Sequence, residues 1–484
     1  MDEHEIAESL GSWGTEDGPI YLTLADALDE LIRAGRLAEG ERLPAERRLS
    51  AALHVSRGTV VAAYDELRGR SRIVTRQGSG TTVAEHARPV QRLDPVPPRG
   101  AIYDGMLDGG FDDLIDMRSA YWVGVDDLPP EAFELPTKAW REVLAGAGYH
   151  PCGYPPLRGL IAKHLTDSGI VTSPDEVLVT NGSQQALALA AQLYLGRDDL
   201  CVVEELTYPA FIDLIAALRG RLHTTPVDSE GVDVDLLDRA VRRVRPPMVY
   251  LMAGVHNPTG AVLCEERRQR LVEYIENWDA VVLDDRTLAE MVIDRPRPLP
   301  IARPDGSALD NVISVGSTSK STWGGLRIGW VRAEAGMVDR LSRLKAVMDL
   351  GSPIASQVMV SEMLARSEAP TLRRAELERR RDVLARGLIN RLPEWRFDVP
   401  PAGLCLWVEL PVSDVSQFIS IAARHGVGLV SGAASSPDGG YRNYLRLPFG
   451  NRVEVLEDVV ERLAVAWADH QKRPIRSALY GVIG

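Results

Sequence analysis

The chain contains five lysines, and one of them differs from the rest in its surroundings. Lys320 lies in Gly316-Ser317-Thr318-Ser319-Lys320-Ser321-Thr322-Trp323-Gly324-Gly325-Leu326-Arg327, directly after the apolar run Val312–Val315. Hydroxyls three and one residues before it, and an arginine seven after it, can bind a phosphate beside the amine. An amine that must be partly neutral to attack an aldehyde gains from such a semi-desolvated, cation-rich setting. Lys138 and Lys163 fall on amphipathic stretches, Lys345 on a similar one at 341–348, and Lys472 in the C-terminal tail. Each of those four reads as a solvated side chain, which leaves Lys320 as the candidate for Schiff-base chemistry.

Other chemistry-bearing residues close apolar runs that read as strands. Val177–Thr180 leads into Asn181-Gly182-Ser183-Gln184 and an Ala/Leu-rich helix, and Leu200–Val203 leads into Glu204-Glu205-Leu206-Thr207-Tyr208-Pro209. Met248–Met252 leads to His256-Asn257-Pro258-Thr259-Gly260, and Ala280–Leu283 ends in Asp284-Asp285. Apolar runs alternating with helical stretches beyond about residue 115 predict an α/β layered fold. In open α/β sheets ligands bind outside the carboxyl ends of the strands. Those ends supply phosphate donors, an aromatic ring, an amide and a carboxylate, all pointing at one crevice.

The positioning elements must be organised in more than one unit, since 484 residues exceed a single compact domain. No apolar run is long enough to span a bilayer, and the acidic start Met1-Asp2-Glu3-His4-Glu5 lacks the apolar core of a secretory signal. Four scattered cysteines without a C-x-x-C pair predict neither a disulfide framework nor a metal site, and a cytoplasmic setting. The net charge of −13 excludes a chain that coats nucleic acid over its whole surface. Locally the sign reverses. Residues 1–18 carry six acids and no Lys or Arg, whereas 42–76 hold eight arginines against three acids.

Within that basic block, Ile20–Arg33 reads as an amphipathic helix. A second helix is expected to open at Pro44 and run to Leu53. After His54-Val55, Ser56 is placed to cap a third helix, Arg57–Leu67, with Val60, Tyr64 and Leu67 facing inward. Ile73–Thr75 and Thr81–Val83 read as a hairpin around the basic tip Arg76–Gly80, which is a wing. The ordered set from Leu43-Pro44-Ala45-Glu46-Arg47 through Ser56-Arg57-Gly58-Thr59 to Arg76-Gln77-Gly78-Ser79-Gly80 resembles the GntR-type winged helix-turn-helix. That resemblance implies that Arg47, Ser56, Arg57, Thr59, Gln77 and Gly78 contact double-stranded promoter DNA. Gly58 stands where members often carry Thr.

The larger part resembles the fold-type I aminotransferases over roughly 116–470, on S-T-S-K-x-x-x-G-G-L-R-x-G at Ser317–Gly329, Asn257-Pro258-Thr259-Gly260 and Gly153-Tyr154-Pro155-Pro156-Leu157-Arg158. By that resemblance Lys320 forms a Schiff base with pyridoxal 5′-phosphate, and Asp284 pairs with the pyridine nitrogen. Asn257 bonds the phenolic oxygen and Tyr208 stacks on the ring. Gly182, Ser183, Gln184, Ser317, Ser319 and Arg327 hold the phosphate, and Arg446 grips an effector carboxylate. Two positions depart from the pattern: Arg286 replaces a tyrosine that bonds the phenolic oxygen, and Gly324 replaces a proline.

Together the two parts resemble the MocR subfamily of GntR-type transcription regulators. The implied organisation is an acidic arm at 1–18, a winged helix-turn-helix at 19–85, a Pro-rich linker at 86–115, an aminotransferase-like domain at 116–472 and a tail at 473–484. The large domain is expected to have an αβα layered part and a smaller C-terminal α+β part. The resemblance implies a homodimer, head-to-tail, that senses an amino compound or pyridoxal 5′-phosphate itself. It implies a regulator, with at most a residual transaminase half-reaction. A working aminotransferase with an appended DNA reader is the alternative, and a scaffold without the cofactor is a third reading.

Overall fold

The computed structural model describes residues 3–10, 19–33, 36–38, 40–70, 72–76, 80–84, 114–122, 134, 137–365 and 370–472. The chain divides into two compact units, Met1–Pro97 and Pro98–Gly484.

Among the described residues of the first unit, four helices and a hairpin enclose one apolar core. Ile20–Arg33 forms as its periodicity predicts, with Leu24, Leu28, Leu31 and Ile32 buried. The second helix spans Glu46–Ala52 and starts two residues later than expected, because Ala45 keeps an extended backbone as its N-cap. The third runs Arg57–Gly69, and Ser56 Oγ accepts the Thr59 amide to cap it. Ile73–Arg76 and Gly80–Val83 pair antiparallel. Residues Glu3–Leu10 of the acidic segment also form a helix, and it docks: Ile6 and Leu10 are buried in the same core as Leu24, Leu49 and Tyr64. Acidic residues alternate there with just enough apolar ones to make one contact face.

The second unit is built on a seven-stranded sheet. Its order is Val177–Thr180, Gly329–Arg332, Val312–Ser317, Val281–Asp285, Met248–Leu251, Leu200–Glu204 and Arg221–Thr225. Gly329–Arg332 runs antiparallel to both neighbours, and the other paired strands are parallel. Side chains alternate between two cores, Leu283 facing one and Val282 the other, as expected of a sheet covered by helices on both faces. A third core lies in a C-terminal part made of the antiparallel strand pair Cys405–Glu409 and Tyr444–Pro448 with helices Pro370–Arg391, Ser416–Arg424 and Val453–Gln471. This is the expected layered part plus a smaller α+β part.

The short strand Ile115–Asp116 joins this C-terminal part by pairing with Val427–Gly428. Most of the linker, the wing tip and the tail at 473–484 lie outside the described residues.

The docking of Glu3–Leu10 gives a direct expectation. Ile6→Ala should destabilise the first unit by about 2–4 kcal/mol, the range for truncating a buried aliphatic side chain. The readout is the denaturant midpoint of the corresponding unfolding transition, and an unchanged midpoint would mean that the helix contributes nothing to that core.

Candidate functional site

The phosphate-type residues converge because three strands bring them level. Thr180, Gly329 and Ser317 form one row across neighbouring strands. Helix Gly182–Tyr194 starts immediately beyond, where its first N–H groups lack intrahelical partners. Gly182 adopts φ +75, and a Cβ there would lie 2.6 Å from the Arg327 guanidinium. Arg327 Nη2 donates to Asn181 O at 3.0 Å. Ser317 Oγ donates to Ser319 Oγ at 2.9 Å, while Ser319 N donates to Ser317 Oγ at 3.0 Å. Gln184, in the first turn of that helix, has a buried side-chain oxygen with no hydrogen-bond partner among the described residues. The cup is cationic and lined by donors.

Asp284 and Asp285 end the same strand, and their surroundings separate them. Asp285 accepts the Tyr250 hydroxyl at 3.0 Å and the Thr287 amide at 2.9 Å. Asp284 is fully buried, and neither of its oxygens has a hydrogen-bond partner among the described residues. Burial pushes it up to about 6, and the Arg286 cation, 3.7 Å away, works against that rise. Arg286 is also held by backbone carbonyls. Its Nη2 donates to Pro298 O at 2.8 Å and its Nη1 to Leu299 O at 3.2 Å, so the guanidinium is anchored beside Asp284.

Lys320 is half-buried, and its Nζ donates to Ala120 O at 2.5 Å. Burial first, then the Arg446 and Arg327 cations, bring the amine down to about 8. Arg446 is buried on the strand Tyr444–Pro448, and its Nη2 donates to Arg118 O. Asp116 braces the segment by accepting from Arg118 Nε at 2.9 Å and the Tyr121 hydroxyl at 3.0 Å. Gly450 is required there, since a Cβ would sit 1.9 Å from Tyr121 O.

Tyr208 is half-buried at the N-cap of helix Pro209–Ala217. Its loop is tied to that of Asn257 through His256, which is fully buried: Nε2 donates to Leu206 O at 2.8 Å, and Nδ1 accepts from the Thr259 hydroxyl at 2.7 Å. Burial lowers His256 to about 4, so it stays neutral and holds this tautomer. Glu204, one strand beyond Tyr250, is buried and pushed up to about 8 by that burial.

The sequence reading missed the carbonyls of Arg118 and Ala120, which no residue type could have signalled, and it misplaced Lys345. Lys345 is not a solvated helix residue. It is fully buried, with Nζ 2.8 Å from Asp349 Oδ1, because its helix, Ala335–Asp349, packs against the cup helix. Lys163 and Lys472 are exposed as expected.

These residues fit pyridoxal 5′-phosphate. Asp284 lacks the donor that a protonated ring nitrogen would provide, the cup suits a phosphate, and Lys320 offers an amine of lowered basicity. Among the described residues no group of acidic, His or Cys side chains is arranged to hold a metal ion.

In the first unit, Ser56 and Thr59 share a 2.8 Å hydroxyl contact at the start of helix Arg57–Gly69. Arg57 is 69% exposed, and its Nη2 lies 3.2 Å from Glu46 Oε2. Arg47 is exposed on the preceding helix, and Gln77 and Gly78 lie outside the described residues. An exposed arginine at a helix start can reach base edges, with hydroxyls positioned for phosphates.

Comparison with known proteins bears on both units. Residues 141–463 match the family "Aminotransferase class I and II", and residues 20–83 match "Bacterial regulatory proteins, gntR family". The chain is 27% identical to the uncharacterized HTH-type transcriptional regulator YisV of Bacillus subtilis, over 90% of this chain and 92% of that protein. It is 29% identical to the probable rhizopine catabolism regulatory protein MocR of Rhizobium meliloti, over 68% of each. The structure of LysN, an alpha-aminoadipate aminotransferase of Thermus thermophilus complexed with N-(5′-phosphopyridoxyl)-L-leucine, superposes with a TM-score of 0.69 at 27% identity, over 78% of this chain and 96% of that one.

Two outcomes are expected. Asp284→Asn should lower the melting temperature of cofactor-free protein, because it leaves the largely buried Arg286 cation without the carboxylate 3.7 Å away. The same change should weaken pyridoxal 5′-phosphate binding at least tenfold in a visible titration. In DNA anisotropy with a duplex selected from a random library, Arg57→Ala should cost about 1–3 kcal/mol. Glu46→Gln, which releases Arg57, should tighten binding.

Proposed function

We propose, from the premise that this chain belongs to the aminotransferase class I and II family and carries a gntR-family module ahead of it, that it is a pyridoxal 5′-phosphate-dependent transcription regulator of the MocR type. Its winged helix binds promoter DNA, and its aminotransferase-like domain senses an amino compound or the cofactor itself. The observation that carries this reading is a shared tie. Lys320 and Arg446, the two cations the ligands need, both donate to carbonyls of 118–120, a few residues beyond the linker. A ligand that takes Lys320 Nζ, or that draws the Arg446 guanidinium toward itself, would compete with the segment continuous with the DNA reader.

The roles proposed for the site residues are these. When bound, pyridoxal 5′-phosphate supplies an electrophilic aldehyde carbon and a ring that withdraws electrons. Lys320 Nζ, neutral in part at physiological pH, is the nucleophile toward that carbon. Gly182, Ser183, Gln184, Ser317, Ser319 and Arg327 would hold the phosphate, and Asp284 would accept from the ring nitrogen. Tyr208 would cover the ring face, Asn257 would bond its phenolic oxygen, and Arg446 would take an effector carboxylate. Arg286 would act on Asp284 instead of on the phenolic oxygen, which favours a sensor over a working transaminase. In the first unit Arg47, Ser56, Arg57, Thr59, Gln77 and Gly78 would meet DNA.

We read the domain limits as 1–18, 19–85, 86–115, 116–472 and 473–484, with the first segment docked through Glu3–Leu10. We propose a homodimer, head-to-tail; exposed apolar side chains at Leu144, Tyr149, Val347, Met348 and Leu350, with Gly351 packed against His150, support the association itself. No helix among the described residues is long and apolar enough to cross a membrane, and a DNA partner supports a cytoplasmic setting.

The test is DNA anisotropy with wild type and Lys320→Ala, before and after pyridoxal 5′-phosphate and then a panel of amino acids and amines. Wild type should change its DNA affinity at least fivefold and Lys320→Ala should not. Sustained turnover of an amino acid with a keto acid would instead make the protein an enzyme. The rate of cofactor capture carries its own signature. Because Lys320 is lowered to about 8, capture should rise with pH and reach half its maximum near 8, well below an ordinary lysine.

A further inference from the structure

The fully buried Lys345 has no part in the reading above, yet it is wired to the phosphate cup. Its Nζ lies 2.8 and 3.0 Å from the two oxygens of Asp349. Asp349 Oδ2 also accepts from Asn181 Nδ2 at 2.8 Å and from Gln185 Nε2 at 2.6 Å, and its Oδ1 accepts the Gly351 amide at 2.9 Å. Gln185 Oε1 in turn accepts the Asn181 amide at 2.8 Å. One carboxylate from the end of a distant helix therefore fixes two side chains on either side of Gly182, the residue whose left-handed backbone opens the cup.

That arrangement has an electrostatic consequence. A carboxylate beside a helix N-terminus competes with a phosphate for the same positive potential. Left unpaired, Asp349 would repel the phosphate it helps to frame. Lys345 is the cation in contact with it, and because the amine is buried the pairing is not screened as a surface pair would be.

We propose that Lys345 and Asp349 form a buried positioning pair that sets the phosphate preference of the cup: Asp349 orients Asn181 and Gln185, and Lys345 cancels its charge. The inference rests on the reading that this site takes pyridoxal 5′-phosphate. It concerns residues that need not touch the ligand, so they are positioning residues.

The test compares two aldehydes that differ only in the phosphate. Wild type, Lys345→Met and Lys345→Arg are titrated with pyridoxal 5′-phosphate and with pyridoxal, and the visible absorbance that requires Lys320 is followed. The readout is the ratio of the two affinities, which general loosening of the fold would leave unchanged. Lys345→Met should lower that ratio at least tenfold, and Lys345→Arg should restore most of it. If Lys345→Met does not fold because Asp349 is left without its cation, the double variant Lys345→Met with Asp349→Leu replaces it. That variant should also lose the preference, since Asn181 and Gln185 lose their common acceptor. A ratio equal to wild type in the folded variant overturns the proposal. Absorbance that fails to develop in wild type with either aldehyde overturns the cofactor reading, and this proposal with it.

Discussion

A fully buried carboxylate without a hydrogen-bond donor is costly, and Asp284 is in that position among the described residues. The fold retains it at the carboxyl end of a central strand, next to a fully partnered Asp285, with the anchored Arg286 cation nearby. Removing the charge would end that cost but leave the largely buried Arg286 cation without its partner 3.7 Å away. Keeping it makes sense when a cationic ring atom completes the site. Around that constraint the other pieces take their places: a cup of helix amides and hydroxyls to one side, Lys320 with its lowered basicity, and a neutral His256 that locks two loops together.

The proposed switch rests on two other cations of the site. Lys320 follows a strand of the central sheet and Arg446 belongs to the C-terminal part, yet both cations donate to the segment 118–120. That segment follows the linker and is held to the C-terminal part by the pairing of Ile115–Asp116 with Val427–Gly428. On the proposed function, a ligand that engages either cation would compete with this segment for it and so bind more tightly where the segment has let go. Differential affinity of that kind is what a ligand needs to shift an equilibrium.

Much of this was legible in the sequence, for identifiable reasons. The strand ends at Thr180, Glu204 and Asp284 could be read because buried parallel strands are short apolar runs with abrupt polar ends. Ser56 could be read as a cap because its hydroxyl serves a local amide. Lys320 stood out through residue types within seven positions. The failures also share a cause, which is long-range contact. Lys345 lies on a helix whose pattern does not reveal which face meets a second layer. Glu3–Leu10 is too short and too acidic to announce a docked helix. The direction of the Arg286 side chain depends on the carbonyls of residues 298 and 299, and the hydrogen bonds to Arg118 and Ala120 use backbone atoms that every residue has.

The central claim is that the cofactor site and the DNA reader are energetically linked, and linkage is reciprocal. The most direct measurement is a visible titration of the protein with pyridoxal 5′-phosphate, alone and with saturating amounts of its selected DNA duplex. The account predicts that DNA shifts the cofactor affinity, and by the same factor by which the cofactor shifts DNA affinity. Identical titration curves with and without DNA would contradict it, and the two units would then be independent functions carried on one chain.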